Sequence, residues 1–217
     1  MYREEVTERS WRLLQKLGSE LSFVVIGGWG VYFYTRRLKS KDIEVAVDLG
    51  LLDKLKARYE VRKNSRLKKY EFTVDGVDVH TYVPFFSDLG IPVEELLRET
   101  REIEGFRVPK PELLLATKQA AEIGRRGSDK GLKDRIDVLS LLLLGDLDLV
   151  DYARLLASHG LEAYLRELRS IVVRAKYEMT ELGFDDPGKV KRLKRELISK
   201  IDAAPARHRP KKLRRQG

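Results

Sequence analysis

The chain has 217 residues and no cysteine, which excludes disulfides, thiolate metal sites and a cysteine nucleophile. Charged residues make up 35% of it, above the roughly 25% usual for globular proteins, and the net charge of +9 suggests a polyanionic partner such as nucleic acid or nucleotide. The start is polar and the apolar run at 21–34 is short and broken by glycines. A soluble, cytoplasmic protein with no membrane partner is therefore expected. The abundance of Arg, Lys and Glu leans towards a thermophilic source.

In chain order, residues 4–17 read as an amphipathic helix that offers Val6, Trp11, Leu13, Leu14 and Leu17 to a core, with Gly18 as its stop. Residues 22–26 form a buried strand that runs into Gly27-Gly28, and a helix over 28–37 opens directly at that turn. A second strand spans 42–47. In it Ile43, Val45 and Val47 take one face while Asp42 and Glu44 take the other, because strand side chains alternate. Two carboxylates side by side repel unless something positive lies between them. Hard oxygen ligands beside substrate phosphates suit magnesium. A short helix is expected over 51–58, then two strands over 69–74 and 77–83 joined by Asp75-Gly76, a strong hairpin signal. On the second of these, Asp78, His80 and Tyr82 share a face. Residues 84–92 read as loop, 93–98 as a helical turn and 102–108 as a last strand. From 112 to about 201 only helical periodicity is found, in roughly five segments separated near Gly127, Gly145, His159-Gly160 and Asp186-Pro187-Gly188. Domains are thus expected at 1–109 and 110–204, with a basic disordered tail at 205–217.

The order Gly27-Gly28, then Asp42 and Glu44 on one strand, then Asp78 on another resembles the nucleotidyltransferase superfamily related to DNA polymerase beta. Lys118, Arg125, Lys133-Asp134 and Asp137 look like the helical motif that follows the catalytic sheet in nucleotidyltransferase-fold proteins of the abortive-infection toxin type. The resemblance implies an α+β protein: a nucleotidyltransferase fold with a mixed sheet flanked by helices, followed by an all-helical C-terminal domain. It also implies a magnesium-dependent transfer of a nucleoside monophosphate from a nucleoside triphosphate to an acceptor hydroxyl, with release of pyrophosphate.

In that reading Asp42, Glu44 and Asp78 are the catalytic and metal-binding acids, holding two magnesium ions, with Asp78 nearest the acceptor hydroxyl. Gly27 and Gly28 let backbone approach a phosphate at a helix N-terminus. Arg37, Ser40, Lys118 and Arg125 are candidates for the triphosphate. Asp137 is assigned a structural role, and Trp29, Tyr32 and Tyr34 to core and rim. Gly28 stands where many relatives carry Ser, so the backbone must serve there. RNA, particularly the tRNA 3′ end, is the favoured acceptor, with a protein hydroxyl or a small molecule as alternatives. A different class also fits: a non-catalytic nucleotide- or RNA-binding module of the same fold, one half of a toxin–antitoxin pair.

Overall fold

The computed structural model describes residues 4–145 and 147–207. Helix α1 (Glu4–Glu20) precedes strand β1 (Val24–Val25), helix α2 (Gly27–Thr35), strand β2 (Ile43–Ala46) and helix α3 (Leu49–Arg58). Strands β3 (Arg62–Asn64), β4 (Lys69–Val74) and β5 (Val77–Tyr82) follow, then helix α4 (Val93–Arg98) and strands β6 (Thr100–Ile103) and β7 (Phe106–Pro109). The remainder is helical: α5 (Pro111–Gly124), α6 (Asp129–Leu142), α7 (Leu149–Ser158), α8 (Ala163–Arg174), α9 (Tyr177–Glu181) and α10 (Pro187–Arg207). The expected α+β class, a mixed sheet with a helical C-terminal part, is that of the structure.

The seven strands form one sheet in the order β3-β4-β5-β2-β1-β7-β6. β2 lies at its middle, antiparallel to β1 and parallel to β5, and β1 runs parallel to β7 on its other side. The central strands are buried through the apolar side chains of Val24, Val25, Ile43, Val45 and Val79, and Thr81 of β5 is buried among them. Asp75-Gly76 makes the β4–β5 hairpin, both residues having positive φ as a tight two-residue turn requires.

Two expectations need correction. The single strand at 102–108 is a hairpin, β6–β7, turned by Glu104 (φ 53°) and Gly105 (φ 78°). Among the described residues the helical stretch holds six helices instead of roughly five, because the chain also breaks at Ala175-Lys176 between α8 and α9. The part of the basic tail beyond 207 lies outside the described residues.

Helix α2 is apolar on every side and carries Trp29, Val31 and Phe33 into the core. Trp29 also donates from Nε1 to the Ser10 hydroxyl at 2.9 Å, so its polar edge is satisfied. Trp11, Trp29, Phe33 and Phe106 pack ring to ring between α1, α2 and β7, which confirms Trp29 as core. Helix α5 is enclosed almost as completely through Leu113, Leu114, Leu115 and Ala116. It packs on α2 where a Cβ on Gly30 would stand 3.2 Å from Leu114. The first helix after the sheet therefore shares the sheet's core, and fixes the distance between β2 and the charged side chains of α5 and α6. No helix among the described residues is long and apolar enough to cross a membrane.

Candidate active site

A cleft of about 470 Å³ opens between the β2–β5 face and the α5–α6 turn. That volume lies within the range of small-molecule sites. The sheet wall carries Ser40, Asp42, Glu44 and His80, and the helical wall Lys118, Arg125, Lys133 and Asp134.

Glu44 is the focus of this wall. Its strand neighbours Ile43 and Val45 are buried, which turns Glu44 the other way. The parallel register sets Glu44 opposite His80. Tyr82, two residues further along β5, donates its hydroxyl to Glu44 Oε1 at 3.4 Å. Gly28 N–H donates to Glu44 Oε2 at 3.3 Å from the first turn of α2, so the helix N-terminus faces a carboxylate. Gly27 has φ 61°, and a Cβ built there would lie 1.8 Å from Glu44 Oε2. A Cβ on Gly28 would lie 2.8 Å from Ser40 Oγ and 2.9 Å from Lys133 Nζ. The Gly-Gly turn is thus required twice, once to admit Glu44 and once to let Lys133 and Ser40 close over it.

Opposite stands an ion network in which Lys118, Asp134 and Asp137 are buried and Arg125 is partly exposed. Lys118 Nζ lies 2.8 Å from Asp137 Oδ2 and 3.5 Å from Asp134 Oδ1. Arg125 reaches Asp134 with two nitrogens, Nε to Oδ2 at 2.5 Å and NH2 to Oδ1 at 2.9 Å, a bidentate pair. Lys133 Nζ lies 3.5 Å from Asp137 Oδ2, one turn along α6. Ser128 caps α6 by accepting from Gly131 N–H at 3.0 Å, which starts the helix where Lys133 and Asp134 face the cleft.

The electrostatics follow from this geometry. Burial opposes ionisation of Glu44, but Lys118, His80, Lys133 and Arg125 outweigh it and pull its pKa down to about 2. Burial also opposes the charge on Lys118, and Asp137, Asp134 and Glu44 overcome it, so the ammonium is held charged. Burial pushes the His80 pKa below its usual value despite Glu44 beside it, with Lys69 acting in the same direction. The Tyr82 hydroxyl is driven strongly upward by burial and by Glu44, and stays protonated.

The structure brings Ser40, Asp42, Glu44, Lys118 and Arg125 to one cleft, and sets Gly27 against Glu44 and Gly28 against Ser40 and Lys133. Asp78 and Arg37 stand apart. Asp78 is exposed, accepts from the Thr73 hydroxyl at 2.8 Å, and lines an adjoining hollow with Glu71 and Thr73, with His80 on the border between that hollow and the cleft. Arg37 NH1 donates to the Leu182 carbonyl at 2.6 Å and lies over the Phe184 ring, tying the α2–β2 connection to the chain after α9. Asp137 has the structural role expected of it, as an anchor of Lys118. His80, Tyr82 and Lys133 belong to the cleft; the sequence alone reads His80 as filling the site wall and not as a base, places Lys133 only in the helical motif, and assigns Tyr82 no site role. Their signal was present for His80 and Tyr82, which share the strand face of Asp78.

Among the described residues no group of three or more His, Cys, Asp or Glu side chains is gathered as a metal set. Asp42 and Glu44 remain a pair of hard oxygen donors on one wall. Magnesium is commonly held by one or two carboxylates, with water and substrate phosphates completing the shell, and the pair fits one such ion.

No family model and no curated protein matches the chain. Two solved structures are loosely similar in fold. JHP933 from Helicobacter pylori is 16% identical with a TM-score of 0.48, over 97% of this chain and 100% of that one. An antigenic nucleotidyltransferase-like protein from Paracoccidioides brasiliensis is 16% identical with a TM-score of 0.41, over 94% of each chain.

Proposed function

We propose that the cleft binds a nucleoside triphosphate with magnesium and transfers its nucleoside monophosphate to an acceptor hydroxyl. The observation that carries this reading is the opposition of two walls: Asp42 and Glu44 on the sheet, with Lys118, Arg125 and Lys133 facing them across a nucleotide-sized space. A metal ion needs the first wall and a triphosphate the second.

The acceptor oxygen attacks the α-phosphorus, a new P–O bond forms, and the bond to pyrophosphate breaks. Magnesium bound by Asp42 and Glu44 would neutralise phosphate charge and help to orient the α-phosphate. Arg125 and Lys133 face the oxygens on which leaving-group charge develops, and their buried carboxylate partners hold them in place before substrate arrives. His80 occupies the wall beside Glu44 where the resemblance placed Asp78, and its imidazole is the group placed to accept the proton of the acceptor hydroxyl. One ion is assigned to the Asp42–Glu44 pair. A two-ion arrangement needs Asp78 or a substrate oxygen brought into the cleft.

We further assign the protein to the abortive-infection toxin type of this superfamily, with RNA, particularly a tRNA 3′ end, as acceptor and an antitoxin as its partner. The support is the Lys118, Arg125 and Asp134 constellation, which forms one connected network. The test is incubation with magnesium, each labelled nucleoside triphosphate and total RNA, beside an Asp42→Ala/Glu44→Ala control. Label in RNA with the native chain alone supports the reading, whereas label on protein redirects the acceptor.

A second reading, a non-catalytic nucleotide- or RNA-binding module, is favoured by one observation: the third acid of the motif, Asp78, lies outside the cleft. It predicts magnesium-dependent nucleotide binding with no transfer to any acceptor.

A further inference from the structure

One lip of the cleft is built from the β3–β4 turn, where Arg66, Leu67 and Lys68 line the opening, and from the segment that follows β5, where Asp88 and Leu89 do. Between β5 and Asp88 the chain makes a tight turn at Pro84, Phe85 and Phe86. It is pinned from both directions: Ser87 N–H donates to the Val83 carbonyl at 3.1 Å, and Val83 N–H donates to the Ser87 hydroxyl at 3.0 Å. Phe85 sits at its tip with φ 62° and is 93% exposed. A bulky residue in the left-handed region is uncommon and costs conformational energy. Burial does not offset that cost here, because the ring is in water.

The ground beside Phe85 is aromatic and basic. The Phe86 ring lies 5.3 Å from that of Tyr70, with Lys63 Nζ 4.5 Å and Lys68 Nζ 5.7 Å from its centroid. Lys63, Arg66, Leu67 and Lys68 are all exposed. The exposed Phe85 ring adjoins in the chain an aromatic face that carries two lysines, and the two residues together offer what binds single-stranded nucleic acid: a π surface for a base and positive charge for the backbone.

We propose that the Phe85 turn is a base-stacking element that receives a single-stranded RNA acceptor and leads its end into the cleft. A base stacks on Phe85, and Lys63, Arg66 and Lys68 meet the adjoining phosphates. The chain then passes Asp88 and Leu89 towards Asp42 and Glu44. The proposal rests on the nucleotidyltransferase reading for the purpose of the site, but not for its binding.

The test uses the full chain, a fluorescently labelled single-stranded oligoribonucleotide with a blocked 3′ end, and fluorescence anisotropy without nucleotide, so binding is read apart from transfer. Phe85→Ala is expected to weaken binding about tenfold, while Phe85→Trp retains it. Phe85→Gly suits the left-handed backbone and must lose affinity equally, which separates loss of the ring from loss of folding. Lys63→Ala/Lys68→Ala should lower both affinity and its salt dependence. A duplex of the same sequence should not respond to Phe85→Ala. Wild-type affinity in Phe85→Ala and Phe85→Gly overturns the proposal, and so does a native chain that binds no oligoribonucleotide, in which case Phe85 faces a protein partner. Phe85-dependent binding without transfer removes the enzyme reading alone. Transfer to another hydroxyl without Phe85-dependent binding removes this proposal alone.

Discussion

The helical wall of the cleft and its outer lip both present cations, and the two regions hold them by different means. On α5 and α6, Lys118 and Arg125 are fixed by Asp134 and Asp137, whose side chains are almost completely buried. At the lip, Lys63 and Lys68 lie over the Phe86 ring on exposed backbone and can be re-aimed. Buried carboxylates hold charge in one geometry at a high desolvation cost, which suits a reacting phosphate. Aromatic faces hold charge loosely at low cost, which suits a polymer of variable sequence. Under the proposed function, the contrast assigns chemistry to the wall and capture to the lip.

The sharpest way to break the comparison is to remove a buried anchor. Asp134→Ala takes the carboxylate from half-exposed Arg125 and leaves buried Lys118 with Asp137 alone, and is expected to destabilise the chain by about 1.5–3 kcal/mol. Chemical denaturation measures this; a loss under about 1 kcal/mol would show that the network is not a structural unit. Gly27→Ala comes next. It combines a positive φ with a Cβ placed against Glu44 Oε2, so about 1–3 kcal/mol of stability is expected to go. Nucleotide binding should fall with it, because Glu44 must move.

Acid stability sharpens the account of the sheet wall. The Glu44 pKa of about 2 lies below its ordinary 4.5, so its ionised form stabilises the fold fully above 4.5 and that contribution disappears as pH falls towards 2. Unfolding free energies of the native chain and Glu44→Gln, compared across that window, should converge as pH drops. A difference independent of pH would place the Glu44 carboxylate in a different electrostatic setting. The smallest expected effect is at the lip: Phe85→Gly relieves a left-handed phenylalanine and should raise stability by about 1 kcal/mol while abolishing stacking. Thermal melting reads the first change and RNA binding the second.

Which site residues could be read from sequence depended on how local their placement is. Ile43, Glu44 and Val45 were legible because strand alternation alone sets their faces. Asp75-Gly76 was legible because the dipeptide carries its own turn chemistry. Asp78 was placed on the correct face, beside His80 and Tyr82, but strand register is not local. β2 begins at Ile43, paired with Val79, so Asp78 falls one step before the first bridge and turns to Thr73 on the other neighbour. Arg37 was misdirected for a related reason, since its partner, the Leu182 carbonyl, lies 145 residues along the chain. Glu104-Gly105 escaped notice because glutamate lacks the side-chain turn chemistry of Asn and Asp. Phe85 stood in a stretch read only as loop, and its exposure follows from the Val83–Ser87 pins.

In the proposed function, Asp42 and Glu44 bind a metal-bound nucleotide against the cationic wall. Isothermal titration of the native chain and Asp42→Ala/Glu44→Ala with nucleoside triphosphates, with and without magnesium, tests it most directly. Binding that requires both magnesium and the two acids is the predicted result. Nucleotide binding indifferent to magnesium and to the loss of both acids would contradict it, leaving the cationic wall as a simple anion site.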